Sequence, residues 1–562
     1  MIPHTSGFRV GNPCDSDNAA SSLIRSQCSF THLLGPVTVD RPFQIRTTAP
    51  ESMSYSVVWF KRDLRVHEHA ALHEALKNGP TLCLYLIEPT LWSTACVATQ
   101  HYQFLLESLR DLYKEIKHRG SVLHVVTGEA VDVFDRLYHL APFHLLCSHE
   151  ETGDAVSYQR DRAVARWCRQ RSIAWSQSQQ FGVTRGLKDR DHWKKFWDQH
   201  IKQPCIPAPI AIQGVPLPWH EPPPPSAAAM GLDPHDPSLR QKGGRQLALA
   251  VLGSFLNDRS TKYRGGISSP LSAPTACSRI SAYLAFGCLS LREVMQATTQ
   301  KMHDLKPGDA WQKKGLAAFT SRLHWHCHFI QKLESEPEIE FQNMHRGYDG
   351  LRENDWNPEH FEALVAGKTG WPLVDACVAM LRETGWLNFR MRAMLVSTAA
   401  YPLWLDWRPV GQWLARQFLD YEPGIHWSQL QMQSGTTGIN VPRIYNPLKQ
   451  AQDHDPNGIF VRRWIPAMQR VPNSWLFEPW KMPISLQQQH GVDVGKDLGQ
   501  PVVDLATATR VAKQKLFELR AQKQLRAGKS AIVRKHGSRK GLRTTRKQAP
   551  IVQPPQQDLL DF

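Results

Sequence analysis

Ser56-Val57-Val58-Trp59-Phe60-Lys61-Arg62-Asp63-Leu64-Arg65 is the stretch on which the fold turns. Five residues rich in β-branched and aromatic side chains predict a short buried strand. The charged run Lys61–Arg65 predicts a polar loop at its C-terminal end. Working outward, helical spacing recurs over 67–77, 102–119 and 155–170. Further strand-like runs stand at 81–87, 121–126, 143–147 and 173–176. Strands alternating with helices imply a doubly wound parallel sheet, whose ligands bind beyond the strand C-termini. No GxGxxG follows any strand, so a standard dinucleotide site is not supported.

Beyond this α/β half the pattern changes. Residues 203–240 are proline-rich, and helical periodicity dominates from about 245 to 420. The expected organisation is an irregular extension (1–53), an α/β domain (54–185), a linker (186–244), an all-α domain (245–482) and a basic tail (483–562). In the tail, 505–526 reads as an amphipathic helix and 527 onward as disordered. The 67 Lys/Arg against 51 Asp/Glu give +16, and residues 507–550 hold 14 Lys/Arg against the single acid Glu518. The cationic excess is therefore a property of the tail, which can attract phosphate without specificity. Eleven scattered cysteines without CxxC spacing, and no apolar leader, imply a reducing, cytoplasmic setting. No apolar run is long enough to cross a membrane.

Several motifs need weighing. Gly367-Lys368-Thr369 ends like a P-loop, but Glu362 stands where its first glycine belongs. His324, His326 and His328 form HxHxH on a predicted helix. The i,i+4 pair can share a metal face, yet no HExxH and no third ligand accompanies it, so pocket lining is the reading and no metal is expected. Arg390, Arg392, Asp420 and Glu422 are charges inside apolar patterns, which implies ion pairs or a bound ligand. Trp numbers 19; singly these are core residues, and together they also suit stacking of a planar ligand or electron hopping.

VVWFKRDLRVHEHAAL, YRGGISSPLSAPTACSRISAYLAFGCLSLREV, GKTGWPLVDACVAMLRETGWLNFRMRAM, LDWRP and RIYNP together resemble, in order, the blocks of the photolyase/cryptochrome family. RLHWHCHFIQKLE and DYEPGIHWSQLQMQSG resemble a divergent bacterial-type branch of it. The resemblance implies a Rossmann-like antenna domain and an all-helical domain holding FAD. It places Tyr263, Cys277, Ser278, Arg279, Ile280 and Ser281 at the FAD phosphates and ribityl chain. It places Arg392 and Asp420 beside the isoalloxazine, Glu422 at the second acid of that motif, and His426 near flavin N5. Trp407 falls at the middle of the family's tryptophan relay, with Trp427 as flavin-proximal member and Trp356 near the outer position. Trp325 falls where a tryptophan packs against a flipped pyrimidine dimer. Arg322 and Phe389 stand where dimer repair enzymes carry Glu and Asn. The function so implied is light-driven splitting of pyrimidine dimers in UV-damaged DNA by a monomer, or blue-light sensing by a cryptochrome-like photoreceptor. A second chromophore (folate, deazaflavin or flavin) is an open expectation for the antenna domain.

Overall fold

The computed structural model describes residues 54–217, 222–439 and 442–537. The expected extension 1–53 and the tail beyond 537 lie outside the described residues. Five strands, β1 (Ser56–Phe60), β2 (Thr81–Ile87), β3 (Leu123–Thr127), β4 (Leu145–His149) and β5 (Ala174–Ser178), form one parallel sheet in the order β3-β2-β1-β4-β5. The order reverses between β1 and β4, so the loop after β1 stands at the topological switch point. β1, β2 and β4 are buried throughout. That explains their continuous apolar character, since a parallel sheet covered on both faces has no solvent side.

Alternation along β1 assigns the two faces. Val58 and Phe60 join the core beneath α1 (Ala70–Lys77) and α2 (Thr99–His118). Val57 and Trp59 pack with Phe134, Leu137 and Trp167 from α3 (Ala130–Leu140) and α4 (Ala155–Gln170). Helix α2 buries Tyr102, Phe104, Leu105, Leu109, Leu112 and Ile116 on one stripe. Each such side chain contributes roughly 1.5–3 kcal/mol on burial, and a charge at Leu109 would break the stripe.

The linker carries α5 (Trp193–Lys202) and then runs extended. The helical half contributes α6 (Arg245–Asn257), α7 (Ser281–Ala285), α8 (Leu291–Asp304), α9 (Ala310–Ser335), α10 (Pro372–Thr384), α11 (Phe389–Ala400), α12 (Trp407–Gln417) and α13 (Pro423–Ser434). The α/β and helical halves share one hydrophobic core, in which Phe60 and Phe104 join Tyr283, Leu284 and Leu316.

The Lys61–Arg65 loop is the seam. Arg62 donates to the Ala285 carbonyl, the Leu64 N–H to that of Phe286, and Arg65 to that of Gly287. At Gly287 (φ +70°) an added Cβ would stand 2.1 Å from the Arg62 carbonyl oxygen, so only glycine permits this approach.

The tail departs from expectation. Helix α14 (Leu505–Ala521) is followed by α15 (Lys523–His536), where disorder was expected from 527. Ala512, Leu516 and Leu525 are buried against Tyr348, Ala400 and Tyr401. A short apolar stripe inside a basic run is enough to dock the segment. Among the described residues no helix is long and apolar enough to cross a membrane.

Candidate functional site

Four elements bring the expected cofactor residues together. Arg392, on the first turn of α11, makes a bidentate pair with Asp420, Nη1–Oδ1 2.9 Å and Nη2–Oδ2 3.0 Å. The Leu387 carbonyl fixes its Nε at 2.7 Å. Burial alone would raise the Asp420 carboxyl. The Arg392 guanidinium and a hydrogen bond from the Ser281 hydroxyl overcome that and hold it below the usual carboxylate value. Asp420 is thus an anion at neutral pH.

Arg279 lies against the same group. It adopts φ +62°, a costly conformation for a non-glycine residue, and lays its guanidinium over Trp386 at 3.8 Å. Its carbonyl is held by Gln241 Nε2 at 2.9 Å. Burial pushes its guanidinium down to about 10, and its Nη1 is buried with no hydrogen-bond partner. A buried cationic donor without a partner fits the diphosphate of FAD.

The rest of the stretch forms the backbone of this cradle. Arg259 donates to the carbonyls of Cys277 and Ser278. Ile280 is in the core and contributes main chain only. Burial pushes the Cys277 thiol up to about 12, so it stays protonated. Tyr263 is buried, and its hydroxyl accepts a hydrogen bond from Arg322 of α9.

His426 sits on the first turn of α13. Its Nε2 meets the Gly411 carbonyl at 2.8 Å, and its ring packs edge-on to Tyr421 (5.2 Å) and Trp427 (5.0 Å). Burial, then Arg392, lower its pKa to about 4 against the Gly411 bond, so it is neutral beside the Arg392–Asp420 pair. Glu422, two residues beyond Asp420, starts α13. Its carboxylate is bonded to Arg62 of the α/β half, and its electrostatic neighbours are Arg62, Glu151 and Asp154. It is an interdomain partner.

Trp407 and Trp427 meet with ring centroids 5.8 Å apart at 66°. Trp407 Nε1 donates to Asn343 at 2.8 Å. Trp356 lies at the surface against Phe361. Trp325 stacks on Phe329 at 5.6 Å, and Phe389, at the start of α11, is 43% exposed.

The HxHxH run divides between faces of α9. His326 faces Phe181 of the α/β half, whereas His324 and His328 face Trp193 of α5.

Two features have no warning in the sequence. Among the described residues one grouping offers metal-ligand atoms: Asp63, His69 and His149. Asp63 Oδ2 lies 2.6 Å from His149 Nδ1 and 3.1 Å from His69 Nε2. His69 Nδ1 accepts the Leu72 N–H, which puts the ring proton on Nε2 and leaves no lone pair there for a metal. The three stand together behind the loop after β1, where Asp63 accepts the Lys61 N–H and meets His149. The second feature is a cavity of about 410 Å³ between the halves, lined by Tyr158, Trp175, Arg185, Glu334 and Glu340 among others. Burial lifts the Glu340 carboxyl to about 7.

Similarity to known proteins extends over both halves of the chain. Residues 56–183 match the family model of DNA photolyase, and residues 319–518 that of the FAD binding domain of DNA photolyase. Cryptochrome DASH of Gloeobacter violaceus is 29% identical over 475 residues, covering 80% of this chain and 93% of the relative. A deoxyribodipyrimidine photo-lyase of Vibrio cholerae is 28% identical over 462 residues, covering 76% and 93%. A class III photolyase from Agrobacterium tumefaciens shares the fold, with TM-score 0.73 and 22% identity over 85% of this chain and 100% of that one. With both halves matched in order and an FAD-binding domain as its helical half, the chain belongs to the photolyase/cryptochrome family.

Proposed function

We propose that the protein is a light-driven DNA repair enzyme that splits UV-induced pyrimidine dimers. The observation that supports this most is an aromatic approach to the cradle. Trp325, stacked on Phe329, lies three residues from Arg322, whose guanidinium bonds Tyr263 inside the cradle. A lesion base taken out of the stack needs such faces to rest on. Arg322 offers only donors, so it would address lesion carbonyls, and Phe389 adds apolar surface without hydrogen bonds.

The chemistry that FAD supplies in such a site is light-driven donation of one electron to the dimer and recovery of that electron once the ring bonds have broken. The residues of this chain hold and tune. Arg279 would take the diphosphate. Arg392, Asp420 and neutral His426 would set the field around the isoalloxazine. Trp427 and Trp407 would carry an electron inward to restore the reduced cofactor. The interdomain cavity, with the faces of Tyr158 and Trp175, would hold an antenna chromophore.

A photoreceptor is the second reading. It is favoured by the docking of α14 and α15 on the helical half, a segment that light could release. The test uses the chemically reduced full-length protein, single-stranded DNA with one cyclobutane dimer, and a (6-4) lesion in parallel, in blue light and in darkness. Light-dependent restoration is expected. No restoration of either lesion by protein whose FAD photoreduces would favour the photoreceptor.

A further inference from the structure

Helix α9 carries one stripe from the cradle out to the protein surface. Trp311, Ala318, Arg322, Trp325 and Phe329 follow at spacings of seven, four, three and four, so they fall on one side of the helix. A different side, with Leu316, Phe319, Leu323 and Cys327, belongs to the core. Arg322 and Trp325 are the end of the stripe assigned above to the lesion. The other end lies in the first turn of the helix, where Trp311 is 53% exposed.

The short turn Tyr263–Gly266 spans the two ends. Tyr263 is bonded to Arg322 in the cradle, and its neighbour Arg264 lays its guanidinium over the Trp311 ring at 5.7 Å. Next to Arg264 the turn is open: Gly265 is exposed, and an added Cβ would meet no atom within 4 Å. A tryptophan so exposed adds little to the core. What it offers is a π-face, beside a guanidinium that can itself stack on bases.

The charge around this face suits a polyanion. Residues 305–322 hold four Lys/Arg against the single acid Asp309, and residues 259–267 hold three against none. The Asp309 carboxylate is turned back onto the Lys306 N–H at 3.2 Å. Lys262 and Lys314 are exposed, and Lys314 lies one turn from Trp311 on α9. Cations that track a backbone around an aromatic that takes a base are the elements of single-strand binding.

We propose that Trp311 and Arg264 form a second base-stacking site, which holds an unpaired nucleotide of a DNA strand lying along α9, with Lys262 and Lys314 at its phosphates. Trp311 stands fourteen residues before Trp325, about 21 Å along the axis. That is roughly six nucleotides at ~3.4 Å each. A dimer at Trp325 thus brings the base about six nucleotides away, on one side only, to Trp311. This register rests on the repair reading; the stacking site itself does not. A base paired in a duplex keeps its face covered, so the site selects single strands.

The test binds an undamaged single strand of about twelve nucleotides to the full-length holoprotein in darkness. Trp311→Ala is expected to weaken binding about tenfold, and Trp311→Phe, which keeps an aromatic face, to recover most of that loss. Trp311 is exposed, so both variants should keep the FAD absorbance of the wild type; Arg264→Gln, expected to weaken binding severalfold, is the second handle on the site. Duplex of the same length should not distinguish wild type from Trp311→Ala. A second arm uses single strands with one cyclobutane dimer and flanks of increasing length. Affinity should step up when the flank on one side passes about six nucleotides, and Trp311→Ala should remove the step; no step would overturn the placement of the strand along α9. Undamaged single strands bound equally by wild type and Trp311→Ala would overturn the site, and so would an equal loss on duplex. Trp311-dependent binding in the first arm, without light-driven restoration of any dimer, would leave the site standing and remove the repair reading.

Discussion

Arg62 of the α/β half and Glu422 of the helical half form an ion pair across 360 residues of sequence, its carboxylate buried and its guanidinium partly exposed. Glu422 is buried on all sides, and Arg62 is anchored again by the Ala285 carbonyl. The pair ties the loop after β1 to the start of α13, the helix that carries His426 and Trp427. It therefore fixes the floor of the cradle relative to the sheet.

Removing one partner of such a pair leaves the other charge stranded. Glu422→Gln is expected to cost about 3 kcal/mol in denaturant unfolding, while Arg62→Met/Glu422→Leu recovers most of the loss. Additive losses in the double-mutant cycle would show that the two side chains act separately.

The seam itself gives a second prediction. Gly287→Ala forces a Cβ against the Arg62 carbonyl at positive φ. A loss of about 2–4 kcal/mol is expected. Gly253, where an added Cβ meets nothing, should tolerate Ala with no loss, which makes it the control.

The tryptophan pair predicts a photochemical result. Trp407→Phe and Trp427→Phe should each slow aerobic photoreduction of bound FAD at least tenfold, read from the loss of oxidised-flavin absorbance under blue light. Trp356→Phe, at the surface against Phe361, should leave the rate unchanged. Unaltered photoreduction in Trp407→Phe would remove the relay.

The buried histidines predict the acid limb of stability. Burial holds His426 at about 4, and burial with the neighbouring Arg62 holds His326 at about 3. Both lie below the unfolded value near 6.5, so the unfolded chain binds protons first. The stability they support is complete above pH 6.5 and is lost as pH falls, at up to about 1.4 kcal/mol per pH unit for each group. His426→Asn, which keeps a donor for the Gly411 carbonyl, should flatten the fall between pH 6.5 and 4 in urea titrations.

Phe389 predicts a split in affinity. Phe389→Ala should weaken binding of a dimer-containing oligonucleotide about tenfold while leaving undamaged DNA unaffected, as expected for a stacking surface worth ~1–3 kcal/mol. Equal loss on both DNAs would make Phe389 a general contact.

The sheet was legible because its strands are continuous apolar runs between turns, and the cradle because its residues stand in contiguous blocks. What was hidden depends on partners far apart in sequence. The partner of Glu422, Arg62, stands 360 residues away in the other half of the molecule. The docking of α14 and α15 rests on Leu516 and Leu525 meeting Tyr348 and Tyr401, which a basic composition masks. Helix α3 carried a readable signal, Ala130, Val133, Phe134 and Leu137 at helical spacing, and needed only a closer count. Asp63 joins His69 and His149 only because β1 and β4 are neighbours at the switch point, a relation fixed by topology.

The partnerless Nη1 of Arg279 bears on how the protein is made. A chain that folds before meeting its flavin must seal a cation into its interior, whereas one that folds around the flavin does not. Ligand capture and maturation then become a single equilibrium. The amount of intact protein in a cell would track flavin supply as well as gene dosage, and starvation for the vitamin would be felt first as turnover of the chain.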